Sequence, residues 1–509
     1  MPKIKSKSAW LNDWISRVDG KAIYTTDGKV IYCQACQQQV KASLFIYKQH
    51  DYNNINNEKH FQVPSKMFYQ LKQHNETAKH KANVELFMRP CGSKKQQFLT
   101  TQTTKKLDEF SMDLCTALTS ANIPFFKLEN QGFRDFLEKY CKRVVPHNDA
   151  LHKNYLPACY EQKMTEIKNE FKHQKIWASV DETTDSRGRY VANLIIGILD
   201  GKLHKPHLVA AKFLDKTNHE TIARFINDNL RELISADDLL LLVTDAARYM
   251  VKAAQGLKIF YPNLIHLTCL CHGLHRVCEE IRGLFPNVDK LIASTKKTSS
   301  KAPSRLAKFR ERCDLPLPPR PIITRWGTWL NAADYYCQNL NQIGAIIRDF
   351  NPSDSDAIRQ SQIAFDCSGI RGDLAFIKSH FDILPGAIEK LESRNLTLIE
   401  SLDLVSDVGN ELQLVPGNVG KLVREKFNTV LRNNPGFDRI LEIGMVLRGE
   451  DVQTRLPPDV IAMFKYAPIQ SCEVERSFSA YKNILADNRM SFTPENLEKF
   501  LICNTHKKK

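Results

Sequence analysis

The sequence predicts an α/β fold with a separate small metal-binding domain at its N-terminus, and three observations support this prediction. Two apolar runs typical of buried strands end in carboxylates, at Asp181 and Asp245. Helical periodicity fills most of the chain from about residue 110 onward. A Cys-x-x-Cys pair, Cys33 and Cys36, lies in a basic N-terminal segment. With 509 residues, the chain is long enough for several domains.

The N-terminal segment holds a candidate structural zinc site. It consists of two cysteines after an apolar run and two histidines on a helix-like stretch: Cys33, Cys36, His74 and His80. Two thiolates and two imidazoles form the donor set of a tetrahedral zinc site. The gap between the two pairs is long, and His50 and His60 within it are alternative ligands. Buried thiols beside solvated histidines are the other interpretation of the same residues.

Basic residues are concentrated at this end of the chain. The net charge is +15, from 72 Lys and Arg against 57 Asp and Glu, and residues 1–100 hold 16 against 7. Lys and Arg that contact phosphates release counterions, so a polyanion such as DNA is one interpretation; a basic protein without such a partner is the other. If the N-terminal segment binds DNA, the helix that carries its two histidines would enter a groove. Three lysines would then lie near phosphates: Lys72, Lys79 and Lys81.

The sequence disfavours the membrane and secreted classes of protein. The apolar run at 239–243 is only as long as a strand, and no run reaches the length that spans a membrane. The basic start at 1–7 is not followed by the apolar region of a signal peptide. We therefore expect the cysteines to stay reduced and available to metal.

Three acidic segments carry the candidate catalytic chemistry. Asp181 and Asp245 end predicted strands, whereas Glu473 and Glu475 lie where the pattern has become helical. Oxygen ligands suit Mg²⁺, and paired ions can clamp the attacking and leaving oxygens of a phosphoryl transfer. Each aspartate also has a local interpretation, in a turn or as a helix N-cap. Glu473 and Glu475 flank one apolar stripe of their helix, so spacing does not choose between them.

These three segments resemble the catalytic blocks of hAT-superfamily DNA transposases. The segment 180–190 resembles the first block, 243–250 the second, and 474–479 the block that carries the third acid. The resemblance extends from about residue 110 to the C-terminus. It implies a ribonuclease-H-like catalytic core interrupted by a large all-α insertion. It also implies an Asp-Asp-Glu triad that holds two Mg²⁺ or Mn²⁺ ions: Asp181, Asp245 and Glu475. Asp185 is a further possible ligand.

The N-terminal pattern is similar to the BED-type zinc finger, which often precedes such catalytic domains. The segment 71–80 also resembles the finger of CGG-repeat-binding proteins. The resemblance therefore implies a structural Zn²⁺ in addition to the catalytic Mg²⁺ or Mn²⁺.

Two further segments resemble DNA-contacting parts of the family. Cys269 and His272 match a Cys-x-x-His that stands near the active site and bound DNA in those proteins. A second zinc site here would have crowded ligands, and packed thiols beside a capping histidine are another interpretation. Arg325 and Trp326 resemble the Arg-Trp block at the start of the insertion. Such a tryptophan can stack on an extruded base while the arginine holds a phosphate or base edge, although a core tryptophan is also common.

The predicted domain organisation has six parts. They are a BED-type zinc finger (1–89), a linker (90–108), a helical DNA-binding or intertwining region (109–170), the first part of the core (171–275), the helical insertion (276–465), and the last part of the core with a C-terminal dimerisation helix (466–509). For the last helix, docking on its own core is the alternative. Within the core, three strands, a helix and a further strand are expected in that order.

The sequence therefore predicts a nuclear cut-and-paste transposase that cleaves and joins DNA strands by two-metal phosphoryl transfer. Its expected partners are double-stranded DNA, as transposon terminal inverted repeats and target DNA, and at least one further copy of the chain, but no membrane. The main alternative is a domesticated, non-catalytic, sequence-specific DNA-binding transcriptional regulator on the same scaffold. A nuclease acting on RNA is a weaker alternative, because the sequence has no sign of hybrid recognition.

Overall fold

The structure, a computed structural model, describes residues 7–18, 22–28, 30–36, 38–40, 66–88, 107–185, 187–300, 303–319, 321, 326–485 and 492–506. The chain divides into two compact units, residues 1–105 and residues 106–509. Within the described ranges, every helix is too short or too polar to cross a bilayer.

The first unit packs helices against a small antiparallel sheet with the strand order β1-β2-β3. Its elements are α1 (Lys7–Val18), β1 (Tyr24–Thr26), β2 (Ile31–Cys33), β3 (Gln38–Gln39), α2 (Lys66–Glu76) and α3 (Ala78–Met88). Trp14 and Tyr24 are buried in its core, together with Leu71 from α2. This small core positions Cys33 of β2 and Cys36 of the following turn beside the histidines of α2 and α3.

The second unit begins with helices that precede its sheet. They are α4 (Glu109–Ser120), α5 (Gln131–Cys141), α6 (Asn148–Ala150) and α7 (Leu156–Phe171). Asp108 and Asn130 accept backbone hydrogen bonds at the starts of α4 and α5, which satisfies donors that a helix leaves open at its N-terminus. Helical periodicity had predicted this region, although its DNA-binding role stays a prediction.

A mixed five-stranded sheet lies at the centre of the second unit. It contains β4 (Ile176–Thr184), β5 (Tyr190–Ile198), β6 (His207–Leu214), β7 (Leu239–Thr244) and β8 (Ile265–Thr268), with α8 (His219–Leu230) and α9 (Arg248–Leu257) between strands. The strand order is β6-β5-β4-β7-β8. β4 pairs antiparallel with β5 and parallel with β7, and β7 pairs parallel with β8. The three strands, the helix and the further strand predicted from the sequence are present in the predicted order.

The sequence did not predict β8. Its four residues include His266 and Thr268, so the segment has neither the length nor the apolar run that makes a strand recognisable. Contacts with the neighbouring strand β7 hold this segment in the sheet, and His266 Nε2 lies 2.9 Å from Thr244 Oγ1. The side chain of Asn434 then closes the outer edge of β8, donating to Thr268 O at 2.7 Å and accepting from Thr268 N at 2.9 Å.

The two faces of the sheet belong to different cores. Ala178 and Val180 of β4 pack with α8 and α9, whereas Trp177 belongs to a larger core shared with the later helices. Because side chains alternate along a strand, Asp181 lies on the same face as Trp177. Gly197 on β5 makes room for that indole, since a Cβ there would lie 2.5 Å from the ring.

Most of the remaining chain is helical, so helices form the majority of this α/β unit. The helices are α10 (Leu270–Leu284), α11 (Pro286–Ser300), α12 (Pro303–Arg312), α13 (Thr328–Arg348), α14 (Asp356–Phe365), α15 (Ile370–Phe381), α16 (Ile383–Leu391), α17 (Leu398–Leu414), α18 (Gly417–Arg432), α19 (Phe437–Leu447), α20 (Pro458–Met463), α21 (Cys472–Ile484) and α22 (Pro494–Thr505). α22 packs on β6, α4 and α7 of its own chain. A role of α22 in dimerisation stays a prediction.

Candidate active site and metal centres

The first unit brings together the four residues predicted to bind zinc. One donor atom from each lies within 4.8 Å of the others: Cys33, Cys36, His74 and His80. The backbone N–H of Cys36 donates to Cys33 Sγ at 3.4 Å, which fixes the turn between the thiols. The alternative ligands His50 and His60 lie outside the described residues. The cluster therefore fits a structural zinc site.

The three lysines predicted to lie near DNA are on the surface of the same unit. Lys72 is exposed on α2, and Lys79 and Lys81 are exposed on α3. Their ammonium groups are therefore accessible to a polyanion.

The two aspartates predicted to be catalytic belong to neighbouring strands of the central sheet, since Asp181 lies within β4 and Asp245 directly follows β7. β4 and β7 are parallel, and Ser179 pairs with Val243 two residues before each aspartate. Asp181 is 7 % exposed and accepts a hydrogen bond from the backbone N–H of Glu182 at 2.8 Å. Asp245 accepts from the N–H of Ala247 at 3.1 Å, just before α9. The parallel register thus brings both carboxylates to the same edge of the sheet.

The predicted third acid, Glu475, lies on α21, far along the chain. Donor atoms of Asp181, His272 and Glu475 all lie within 4.8 Å of one another. His272 Nε2 on α10 is 3.8 Å from Glu475 Oε1. Asp245 is not part of this set, although its charge acts on Asp181. The site therefore contains a histidine close to the predicted third acid.

Crowding of acids in this buried site shifts their protonation. Burial, and then the charge of Glu475, raises the pKa of Asp181 well above its ordinary range. Burial also raises the pKa of Asp245, and His272 and Arg276 oppose that rise. A divalent cation would relieve this repulsion, because it supplies the positive charge that buried carboxylates need. The carboxylate oxygens of this site therefore fit Mg²⁺ or Mn²⁺.

His272 and Cys269 influence each other's protonation beside the carboxylates. Burial lowers the pKa of His272, but Cys269, Asp181 and Glu475 outweigh burial and raise that pKa to about 9. Burial raises the pKa of Cys269, yet the neighbouring Cys271 thiol and His272 bring it well below its usual value. Cys269 is 2 % exposed, so its sulfur faces the protein interior.

Several polar contacts hold α21 against the sheet. Asn193 of β5 is the cross-strand partner of Asp181, and it donates to Ser477 Oγ on α21 at 2.7 Å. Just before α21, the backbone N–H of Ser471 donates to Cys269 Sγ at 3.2 Å. Both contacts are buried, so they fix the helix that carries Glu475 relative to the strand that carries Asp181.

The structure distinguishes the two glutamates that spacing left equivalent. Arg394 holds Glu473 with two hydrogen bonds, Nε to Oε1 at 2.6 Å and Nη2 to Oε2 at 2.7 Å. Arg476 also donates to Glu473 Oε1. The side chain of Glu473 is 10 % exposed, against 40 % for Glu475. Glu473 is thus engaged in an ion-pair network, whereas Glu475 lies beside His272.

Asp185, considered as an additional ligand, is engaged elsewhere. It accepts from the backbone N–H groups of Arg187 and Arg189 at 2.9 Å each, and from Arg189 Nε at 2.8 Å. The hydroxyl of Tyr481 on α21 also donates to it at 3.2 Å. Asp185 therefore organises the turn between β4 and β5.

Sequence reasoning missed Glu182 and Tyr249. Glu182 follows Asp181 on β4 and lies on the opposite face, where the Tyr249 hydroxyl on α9 donates to its Oε1. Burial raises the pKa of Glu182, and the charge of Asp245 adds to that rise. The motif contained both residues, but only the parallel pairing of β4 and β7 places them together.

The tryptophan predicted to contact DNA lies beside the carboxylate site. Trp326 is half-buried, and its ring centroid is 4.7 Å from that of His272 in an edge-to-face arrangement. Its neighbour Arg325 lies outside the described residues. Trp326 also packs against the large core. Its position is therefore compatible with a core tryptophan and with one that stacks on a DNA base.

Comparison with known families identifies part of the second unit. Residues 146–298, which include the whole central sheet, match a family model described as "Domain of unknown function (DUF659)". The chain has no match among curated proteins. The DUF659 domain occurs in hAT-family transposase-like proteins, so residues 146–298 are similar to a domain of those proteins.

Proposed function

We propose that this protein is a cut-and-paste DNA transposase that cleaves and joins DNA strands at the carboxylate site. The observation that carries the proposal is the parallel pairing of β4 and β7, which brings Asp181 and Asp245 to one edge of the sheet. Glu475 of α21 comes close to Asp181, with a donor atom within 4.8 Å of it. Three carboxylates from distant segments in one partly open site suit metal-dependent phosphoryl transfer.

A ribonuclease-H-like core is part of this proposal. Three consecutive antiparallel strands are followed by two strands parallel to the first, and the first strand lies in the middle of the sheet. This order gives Asp181 and Asp245 neighbouring strands, as the resemblance to hAT proteins requires. The long helical segment between Asp245 and Glu475 supports the same assignment.

Asp181, Asp245 and Glu475 would hold two divalent cations. Mg²⁺ or Mn²⁺, when bound, would polarise the scissile phosphate and favour attack by water or a 3′-hydroxyl. His272 would add a positive charge beside the DNA phosphates, and Cys269 would keep that imidazole protonated. Trp326 would stack on an extruded base, with Arg325 at the backbone.

The zinc-binding unit would bind the transposon ends. Lys72, Lys79 and Lys81 are exposed and would contact phosphates, which gives affinity and register rather than sequence readout. We propose that the unit is a BED-type finger and that the protein acts in the nucleus as a homo-oligomer on terminal inverted repeats and target DNA.

The test is excision of a marker flanked by the inverted repeats of the chain's own genomic neighbourhood. We expect excision with the parent protein and none with Asp245→Ala. Asp228→Ala, at an aspartate half-exposed on α8, is the matched control and should retain excision. Purified protein should cleave the same ends only with Mg²⁺ or Mn²⁺. Cleavage by Asp181→Asn or Glu475→Gln at the parent rate would contradict the proposal.

A second outcome would identify the regulator. If the parent protein excises nothing but binds the repeats specifically, the chain acts as a DNA-binding regulator on a transposase scaffold. Binding that is lost with Cys33→Ser and unchanged with Asp245→Ala would assign that function to the first unit.

A further inference from the structure

We propose that the two histidines of the first unit bind zinc through different ring nitrogens, His74 through Nε2 and His80 through Nδ1. We further propose that Tyr24 and Asn75 hold His80 in the tautomer that this requires. The inference rests on the proposed zinc site and concerns how the protein positions its ligands.

The position of His80 relative to the two thiols indicates which nitrogen binds. His80 Nδ1 lies 3.5 Å from Cys33 Sγ and 3.4 Å from Cys36 Sγ. A tetrahedral zinc with Zn–S bonds of about 2.3 Å and Zn–N bonds of about 2.05 Å places its sulfur and nitrogen ligands about 3.6 Å apart. Both distances are therefore close to an edge of that tetrahedron, with Nδ1 as the nitrogen vertex.

The other nitrogen of His80 already has a partner. His80 Nε2 lies 3.3 Å from the hydroxyl of Tyr24, which donates to Asn75 Oδ1 at 3.3 Å. The asparagine oxygen takes the tyrosine proton, so the tyrosine oxygen is left to accept from Nε2–H. An imidazole protonated at Nε2 has its lone pair at Nδ1, toward the thiols. Tyr24 is 1 % exposed, so this chain of hydrogen bonds is shielded from water.

His74 presents the opposite nitrogen. Its Nε2 is buried, and no described residue forms a hydrogen bond with it. The same atom would be satisfied by a metal ion.

The spacing of the histidines explains why the two rings differ. Six residues along one continuous helix correspond to a rotation of about 600°, so His74 and His80 would point about 120° apart. The chain breaks the helix between them at Thr77, whose hydroxyl donates to His74 O at 2.8 Å and accepts from His80 N–H at 3.2 Å. Thr77 ends α2 and caps α3, which turns His80 back toward the cysteines. In this orientation, the Nδ1 side of the His80 ring faces the two thiols.

One more contact supports the thiol side of the site. The side-chain amide of Asn83 on α3 donates to Cys36 Sγ at 3.4 Å. A donor to sulfur suits a thiolate bound to metal, because it stabilises the negative charge. The same face of α3 therefore supplies a ligand and a hydrogen bond to another ligand.

The test combines zinc affinity with the location of the metal in the full-length protein. A coloured chelator of known affinity would compete for zinc with the parent protein, Tyr24→Phe and Asn75→Ala. We expect Tyr24→Phe to weaken zinc binding at least 10-fold, within the range found when a residue that supports a metal ligand is removed. Asn75→Ala should cause a smaller loss. Tyr32→Phe, the same change at an exposed tyrosine on β2, is the matched control and should bind zinc like the parent.

Anomalous diffraction at the zinc edge should place the metal bonded to His80 Nδ1 and His74 Nε2. Zinc bonded to His80 Nε2, or Tyr24→Phe that binds zinc as tightly as the parent, would overturn the inference. A zinc content that is lost in Cys33→Ser would then leave the zinc site itself standing. Zinc that survives Cys33→Ser would overturn the site and this inference together.

Discussion

The two candidate metal centres differ in how the chain builds them. The Cys/His centre joins segments only 47 positions apart, in a unit with a small core. The carboxylate centre joins β4 and α21, and Asn193 of the neighbouring strand β5 bonds to Ser477 of α21 across 284 positions. The first therefore depends on few other contacts, whereas a large helical core assembles the second.

This difference predicts opposite consequences for metal removal. Zinc binding should contribute to the folding free energy of the first unit, because few other contacts hold its cysteines and histidines together. The carboxylates are positioned by packing and hydrogen bonds, and without a metal they repel one another. Zinc should stabilise its unit, whereas Mg²⁺ or Mn²⁺ should mainly supply chemistry.

The largest expected effect is the loss of zinc in Cys33→Ser. The full-length parent should carry one zinc per chain and the variant close to none, because a tetrahedral site loses its buried thiolate. The first unit should also lose its protection against proteolysis. Metal content by mass spectrometry and limited proteolysis measure the two effects.

Cys141→Ser is the control for that experiment, because Cys141 is an exposed thiol in the second unit. It should leave the zinc content unchanged. A proteolysis pattern of the first unit that is the same with and without zinc would refute the structural role of the metal.

The next effect separates the two glutamates of α21. Glu473→Gln should lower the free energy of unfolding by about 2 kcal/mol, because it leaves Arg394 and Arg476 without their buried partner; their own exposure keeps the loss below that of a fully buried pair. Glu475→Gln should leave stability within about 0.5 kcal/mol but weaken Mn²⁺ binding at least 10-fold. Urea denaturation and Mn²⁺ titration distinguish these outcomes, and the reverse pattern would make Glu473 the metal ligand.

A smaller effect tests the repulsion inside the carboxylate centre. Asp181→Asn should stabilise the metal-free protein by about 1 kcal/mol at neutral pH and abolish the stabilisation by Mn²⁺. The raised pKa of Asp181 means that its ionisation opposes folding above that pKa, so the gain should shrink as the pH falls and the parent carboxylate becomes protonated. Thermal unfolding in chelator across this pH range measures it. A variant less stable than the parent at neutral pH would contradict the interpretation.

The sequence predicted what depends on neighbouring residues. Apolar runs indicated β4 and β7, and pairs of thiols and imidazoles indicated the zinc site. It could not predict β8, since a four-residue strand with a histidine and a threonine has no pattern of its own. Parallel pairing identifies such a strand only after β7 is in place.

The choice between Glu473 and Glu475 was equally beyond local spacing. It depends on Arg394, which lies 79 positions before Glu473 in the helical segment. The raised pKa of His272 likewise depends on Cys269 and on Asp181 and Glu475, and only the folded chain brings the two acids near it. Family resemblance named the triad, but the electrostatics of the site required the structure.

The smallest expected effect concerns His272 as the cation within the carboxylate centre. Its pKa of about 9 lies above the ordinary value of about 6.5, so its charge should stabilise the metal-free fold fully below pH 6.5. That contribution should disappear as the pH rises through 9. We therefore expect His272→Gln to lower the free energy of unfolding by about 1 kcal/mol at pH 6.5 and by much less at pH 10.

The matched control is His275→Gln, one turn further along α10. Burial lowers the pKa of His275, so its effect on stability should vary with pH only below about 6.5. If the loss of stability relative to the parent changed with pH in the same way for both variants between pH 6.5 and 10, His272 would act through packing alone. A destabilisation that decreases with pH only for His272→Gln, and that saturating Mn²⁺ removes, would show that the imidazolium and the metal both compensate the negative charge of the carboxylates.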